Sequence, residues 1–158
     1  MSKAKTNAMR ILDQNKVAYH IITYEIQDNK IDGVSVAKKI GKNPSMVYKT
    51  LVAYGEKERI YVYVIPVEAE LNLKKAAKAA GEKKVGMLPV KDIQKWTGYI
   101  RGGCSPIGMK KKYPTFIDHS ASGFERIVGS GGKIGIQIEI SVEELKNVTG
   151  ANFDEVIN

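Results

Sequence analysis

Two runs dense in β-branched and aromatic residues, 46–54 (MVYKTLVAY) and 60–66 (IYVYVIP), flank the polar link 55–59 and predict a β-hairpin. A third run of this kind, 17–24 (VAYHIITY), predicts a strand upstream. Short strands follow at 85–88 and 115–118 (TFID), and 125–128 with 135–140 (GIQIEI) predict a second hairpin-like pair around Ser130, Gly131, Gly132 and Lys133. Helical spacing occupies the gaps. Residues 6–15 place Ala8, Met9, Ile11 and Leu12 on one stripe behind Thr6 as N-cap, and Asp32 caps a helix with Val36, Ala37 and Ile40 inward, stopped by Gly41 and Pro44. Asn72 caps 73–80, with Ala76, Ala77 and Ala80 inward and Gly81 as the stop. Pro89 leads into 90–96, closed by Gly98, and Ser141 with Glu144 forms a capping box for a last helix through Val148.

Strands and helices alternate without a strict βαβ rhythm, which predicts an α+β chain: a curved mixed β-sheet or partly closed barrel with peripheral helices. At 158 residues the expectation is one domain over 1–158, enough to bury roughly 70% of its unfolded surface. No repeat or low-complexity tract interrupts it. Charge or tyrosine breaks every apolar run well short of a membrane span, and residues 1–7 hold no apolar core of a signal peptide. The lone cysteine, Cys104, has no internal partner and suits a reducing cytoplasm, the expected location.

Charge sharpens this picture. Twenty-five Lys and Arg against 17 Asp and Glu give a net +8, with lysines clustered at Lys38–Lys39, Lys74–Lys75, Lys83–Lys84 and Lys110–Lys112. Such an excess attracts polyanions, each phosphate neutralised on a single strand adding about −0.7 to the salt slope of binding. The competing reading is a set of helices with solvated lysines.

Candidate chemistry centres on residues 98–112, where Gly98, Gly102, Gly103, Gly108 and Pro106 precede Lys110, Lys111 and Lys112. Glycine admits φ > 0 and lets a ligand approach bare backbone, so the stretch reads as a shaped loop with a cationic shoulder, or as a tight connection between strands. His20 and His119 have no ligand partners at metal-binding spacing, and neither a metal nor a cofactor is expected. Cys104 beside Ser105 invites a nucleophile reading that requires a base or an electropositive site. In the run Val47, Lys49, Leu51 the alternation puts a lysine on an aliphatic face, either at a solvent edge or facing a cleft where its ammonium can clamp a phosphate, a ribose oxygen or an ester carbonyl. Ser130, Gly131 and Gly132 read either as hairpin chemistry or as a second wall of backbone donors.

Three stretches together, Tyr48 to Leu51, Thr97 to Tyr99 with Gly102 to Gly108, and Ser130 to Lys133, resemble the YbaK/EbsC family, free-standing relatives of the editing domain inserted in bacterial prolyl-tRNA synthetases. The resemblance runs over nearly the whole chain, from Thr23 to Ile140. It implies an aminoacyl-tRNA deacylase that clears cysteine from mischarged Cys-tRNA(Pro), and from Cys-tRNA(Cys), in partnership with prolyl-tRNA synthetase. Lys49 matches the family's central active-site residue. The family supplies no nucleophile: the substrate's thiol attacks its own ester carbonyl and leaves as a thiolactone. Positioning then carries the rate, up to roughly 7–11 kcal/mol for well-oriented groups. The resemblance implies that Gly102 and Gly103 hold the developing oxyanion, about 2.7–4 kcal/mol for one good donor, and that Lys49 holds the terminal ribose or phosphate. Tyr24, Thr50, Ser105, Pro106, Gly108, Ser130, Gly131, Gly132 and Gln137 match the substrate pocket, and Lys110, Lys111 and Lys112 are expected to meet tRNA phosphates.

The chain departs from the family pattern at three places. Gln137 stands where close relatives carry an acid, the loop 26–32 has diverged, and Cys104 fills an otherwise aliphatic position, which argues for a lining residue. Two alternatives stand beside cysteine clearance. One is a sister deacylase that removes alanine from proline tRNA with water. The other is a non-catalytic tRNA- or synthetase-binding module, in which the +8 charge matters and Lys49 does not.

Overall fold

A computed structural model describes residues 5–158; the first four, part of the opening segment read above for a leader, lie outside it. Thr6 accepts the Met9 N–H at 3.2 Å and opens helix α1 (Asn7–Gln14), which buries Ala8, Met9 and Leu12. Strand β1 (Tyr19–Thr23) is shorter than the apolar run at both ends: Val17 N–H is drawn back to the Leu12 carbonyl and Tyr24 N–H pairs with the Gly135 carbonyl. Asp32 caps α2 (Gly33–Lys39) through the Ser35 N–H. The expected hairpin forms from β2 (Tyr48–Tyr54) and β3 (Ile60–Pro66), antiparallel with Tyr48 opposite Pro66 and Tyr54 opposite Ile60. Helix α3 (Leu73–Ala80) runs from Asn72 to Gly81, the latter at φ +72°. Strand β4 (Gly86–Met87) and a 3₁₀ turn lead to helix α4 (Ile93–Thr97), closed by Gly98. After the glycine loop come β5 (Thr115–Asp118), β6 (Arg126–Lys133), β7 (Ile136–Ser141), α5 (Val142–Thr149) and β8 (Asn152–Asp154).

The architecture is α+β, as expected, but the curved sheet is divided. Three strands are ordered β1-β7-β6 and five are ordered β4-β2-β3-β5-β8, and Val47 bridges Val128 between the two sheets. The larger sheet is mixed: β5 runs parallel to both β3 and β8. One core, including Leu12, Tyr48, Val64, Ile117, Ile127, Ile138 and Leu145, fills the space between the sheets, α1 and α5. A second lies under α3, where Ala76 and Ala77 let the helix approach Tyr63 and Ile65 closely, and the Tyr63 hydroxyl donates to the Ala76 carbonyl at 2.7 Å. No helix among the described residues is long and apolar enough to cross a membrane.

The second hairpin corrects the sequence reading. Ser130, Gly131 and Gly132 are not its turn: β6 continues through them to Lys133, and the chain reverses at Ile134–Gly135. The ladder passes from Ser130 opposite Gln137 directly to Lys133 opposite Ile136, so the two glycines form a bulge, with Gly132 at φ +100°. A bulge with glycine in a left-handed conformation has the same composition as a tight turn, and only strand pairing separates the two.

Candidate functional site

The partner strands of β2 end unevenly. β3 pairs along its whole length, whereas β4 reaches only Ala53 and Tyr54 on the other edge. Between the Val47–Val128 bridge and β4 that edge has no partner strand, and a cleft of about 570 Å³ lies along it, within the range that holds small-molecule ligands. Residues of both parities, Val47, Lys49 and Leu51 with Tyr48 and Thr50, line it for this reason. The facing walls come from Ser130 and Gln137 on the smaller sheet, from Arg101, Gly102 and Cys104 on the glycine loop, and from Tyr24 with Asn29, Ile31, Asp32 and Gly33 around the start of α2.

Of the residues singled out in the sequence, Lys49, Tyr24, Thr50, Gly102, Ser130 and Gln137 meet in this one cleft. Lys49 is half-buried, and its Nζ donates to the Val67 carbonyl at 3.3 Å. The Tyr24 hydroxyl is buried and has no hydrogen-bond partner among the described residues. A buried polar atom left unpaired is uncommon in a folded chain. Gln137 is buried in central strand β7, between Ile22 and Ser130.

The other expected site residues lie elsewhere. Ser105 is fully buried, its Oγ accepting the Ile107 N–H, and with Pro106 it lines a smaller space of about 20 Å³ that shares Tyr48, Thr50 and Ser130 with the cleft. Gly108 and Gly132 pack against the start of α1: a Cβ on Gly108 would fall 3.0 Å from the Asn7 amide nitrogen, and one on Gly132 would fall 3.1 Å from Thr6. Gly131 gives its carbonyl to the Thr6 hydroxyl at 2.6 Å. These glycines let helix and bulge touch, and they do not line the cleft. Gly103 likewise lacks the role expected of its N–H, which donates to the Ile100 carbonyl at 3.0 Å and so closes a turn. The N–H of Gly102 makes no intramolecular hydrogen bond among the described residues, so of the expected donor pair it is the one left open. Lys111 and Lys112 line a different groove of about 280 Å³ with Asn15 and Thr149, and Lys110 donates to the Lys95 carbonyl.

Two hydrogen bonds tie the glycine loop together. Tyr99 Oη donates to the Ile107 carbonyl at 2.6 Å, and Lys110 N–H returns to the Thr97 carbonyl at 3.0 Å. Burial pushes the Cys104 thiol up to about 11, which leaves it protonated at neutral pH and unfit as a nucleophile. Asp32, the acid on the cleft wall, accepts from Ser35, which holds its carboxyl below the usual range.

Sequence reasoning missed Arg101, Asn29, Ile31, Asp32, Val36 and Val67 as cleft residues. A cation inside a glycine loop was the visible signal for Arg101; the rest are brought in by the path of the chain alone.

Residues 31–148 match the family model described as the aminoacyl-tRNA editing domain. A protein of Enterococcus faecalis (strain ATCC 700802 / V583), provisionally named as the Cys-tRNA(Pro)/Cys-tRNA(Cys) deacylase EbsC, is 45% identical over 155 residues, covering 98% of this chain and 94% of its own. A proline–tRNA ligase of Brachyspira hyodysenteriae (strain ATCC 49526 / WA1) is 29% identical over 105 residues, 66% of this chain and 17% of the ligase. A solved structure described as a candidate trans-editing enzyme for prolyl tRNA synthetase superposes with a TM-score of 0.83 at 20% identity, covering 99% of each chain.

Proposed function

The chain belongs to the aminoacyl-tRNA editing domain family, and from that premise we propose that it removes cysteine from Cys-tRNA(Pro), and from Cys-tRNA(Cys), acting in trans beside prolyl-tRNA synthetase in the cytoplasm. The observation that carries this reading is a cleft with a lysine, an unpaired phenol and an open backbone N–H on its walls, and no nucleophile paired with a base. The Cys104 thiol stays protonated, and the Ser130 hydroxyl accepts the Gly132 N–H. Neither is activated.

A site of this kind suits a substrate that carries its own nucleophile. The cysteinyl sulfur, as thiolate, attacks the carbonyl carbon of its own ester. The C–S bond forms, the C–O bond to the ribose breaks, and the proton given up by the thiol ends on the ribose oxygen. The products are a thiolactone and free tRNA. The protein's share is orientation and charge. The Lys49 ammonium holds the terminal ribose and ester in register, the Gly102 N–H faces the developing oxyanion, and the Tyr24 hydroxyl, Thr50, Ser130 and Gln137 fix the amino acid. Gln137 offers a neutral amide to the α-amino group where an acid would pair its charge, which favours contact by hydrogen bonding alone.

The test is discharge of Cys-, Ala- and Ser-tRNA(Pro) by the protein and by Lys49→Ala. Loss of cysteine alone, abolished in the variant, is expected. Loss of alanine would move the assignment to a water-using deacylase, and intact ester in every tube would end the enzyme reading. Selection of tRNA is expected to lean on the synthetase, so Cys-tRNA(Cys) should be discharged by the isolated protein.

A further inference from the structure

Arg101 has no part in the chemistry above, yet it lines the same cleft. It sits in a turn whose Gly103 N–H closes on the Ile100 carbonyl and whose third residue, Gly102, has φ +87°, the pattern of a type II turn. The turn packs closely against its neighbours. A Cβ on Gly102 would fall 3.2 Å from Ile31 Cδ1, and one on Gly103 would fall 2.9 Å from the Ile134 nitrogen and 3.0 Å from Lys133 Cα. The backbone is therefore wedged between two neighbouring segments while the Arg101 side chain is exposed. Arg101 forms no ion pair among the described residues, and the acid of this cleft, Asp32, is engaged with Ser35 at 3.1 Å.

We propose that Arg101 forms an anion subsite at the mouth of the cleft that takes the phosphate 5′ to the terminal adenosine of the tRNA. The proposal rests on the aminoacyl-tRNA reading and adds a division of labour to it. A cleft of about 570 Å³ has room for an aminoacylated nucleoside, so the next phosphate emerges at the rim, where an exposed guanidinium offers bidentate donors. Lys49 is set deeper and already touches the Val67 carbonyl, which leaves it for the ribose and ester.

The test uses 3′-amino-3′-deoxyadenosine carrying an amide-linked cysteine, with and without a 5′-phosphate, binding to the full chain by calorimetry. The phosphate should tighten native binding at least tenfold and Arg101→Gln binding less than twofold, with partial recovery in Arg101→Lys. Lys49→Met should weaken both analogues and keep the phosphate gain. A gain that survives in Arg101→Gln, or that vanishes in Lys49→Met alone, overturns the subsite. So does a native chain that binds both analogues equally. If the native chain binds neither analogue, the aminoacyl-adenosine reading falls with it, an outcome distinct from loss of the phosphate gain alone.

Discussion

Replacing Tyr24 by phenylalanine should make the protein more stable and less active. The Tyr24 N–H pairs with the Gly135 carbonyl at 3.0 Å, and its ring lies 5.9 Å from Lys39 Nζ; both contacts survive the change. What goes is a buried phenol oxygen without a partner. A hydroxyl desolvated without a hydrogen bond costs about 1–3 kcal/mol, so Tyr24→Phe should recover about 1–2 kcal/mol. At roughly 2.1 cal/mol/K per residue, unfolding this chain carries about 0.33 kcal/mol/K, and the gain becomes a rise in Tm of about 3–6 °C. On the proposed function the hydroxyl also helps fix the amino acid, so kcat/KM for Cys-tRNA(Pro) should fall about tenfold, equivalent to about 1.4 kcal/mol of lost transition-state stabilisation. Scanning calorimetry and a discharge assay on one preparation read both quantities. A lower Tm together with undiminished discharge would refute the reasoning, because it would mean that the hydroxyl serves the fold and not the substrate.

Gly103→Ala should lower Tm by about 3–9 °C, since its Cβ meets backbone that cannot step aside and overpacking costs about 1–3 kcal/mol; Gly123→Ala, with nothing within 4 Å, serves as the control, and equal Tm values for the two variants would remove the packing role given to Gly103. Glu82 accepts from Arg59, Tyr61 and the Glu56 N–H, which hold its carboxyl down to about 2, so its stabilising share is present above the ordinary value of 4.5 and is lost as pH falls towards 2. The Tm gap between the native chain and Glu82→Gln should accordingly be widest near neutrality and close below pH 4.5; a gap independent of pH would contradict the assignment. Cys104 should resist iodoacetamide at neutral pH until the chain is unfolded, and Cys104→Ala should keep its discharge activity; rapid labelling of the folded protein, or an inactive but folded variant, would reinstate the thiol as a reactive group.

Much of the local structure was written along the chain. Thr6, Asp32, Asn72 and Ser141 cap the helices they were expected to cap, and Gly81 and Gly98 close two of them, because each such decision involves atoms a few residues apart. The hairpin of β2 and β3 was equally legible, since its register follows from two apolar runs and a short link. Strand β8 had no such signal: Asn152–Asp154 is brief, with Phe153 alone between two polar residues, and becomes a strand only because β5 offers it an edge.

The site divides in the same way. The sequence alone determined that Lys49 stands in an aliphatic strand and that a glycine loop with its own cations lies downstream, because residue type and alternation are local properties. Only the tertiary structure decided that β4 stops short and leaves the β2 edge open, that Ser130 and Gln137 face it from the other sheet, and that Gly108, Gly131 and Gly132 turn towards α1 instead. It decided too that the Gly103 N–H is taken by Ile100 while that of Gly102 stays open, with Arg101 set at the rim beside it. Each of these depends on which distant segments pair and where pairing ends, and no window of sequence a few residues long contains that.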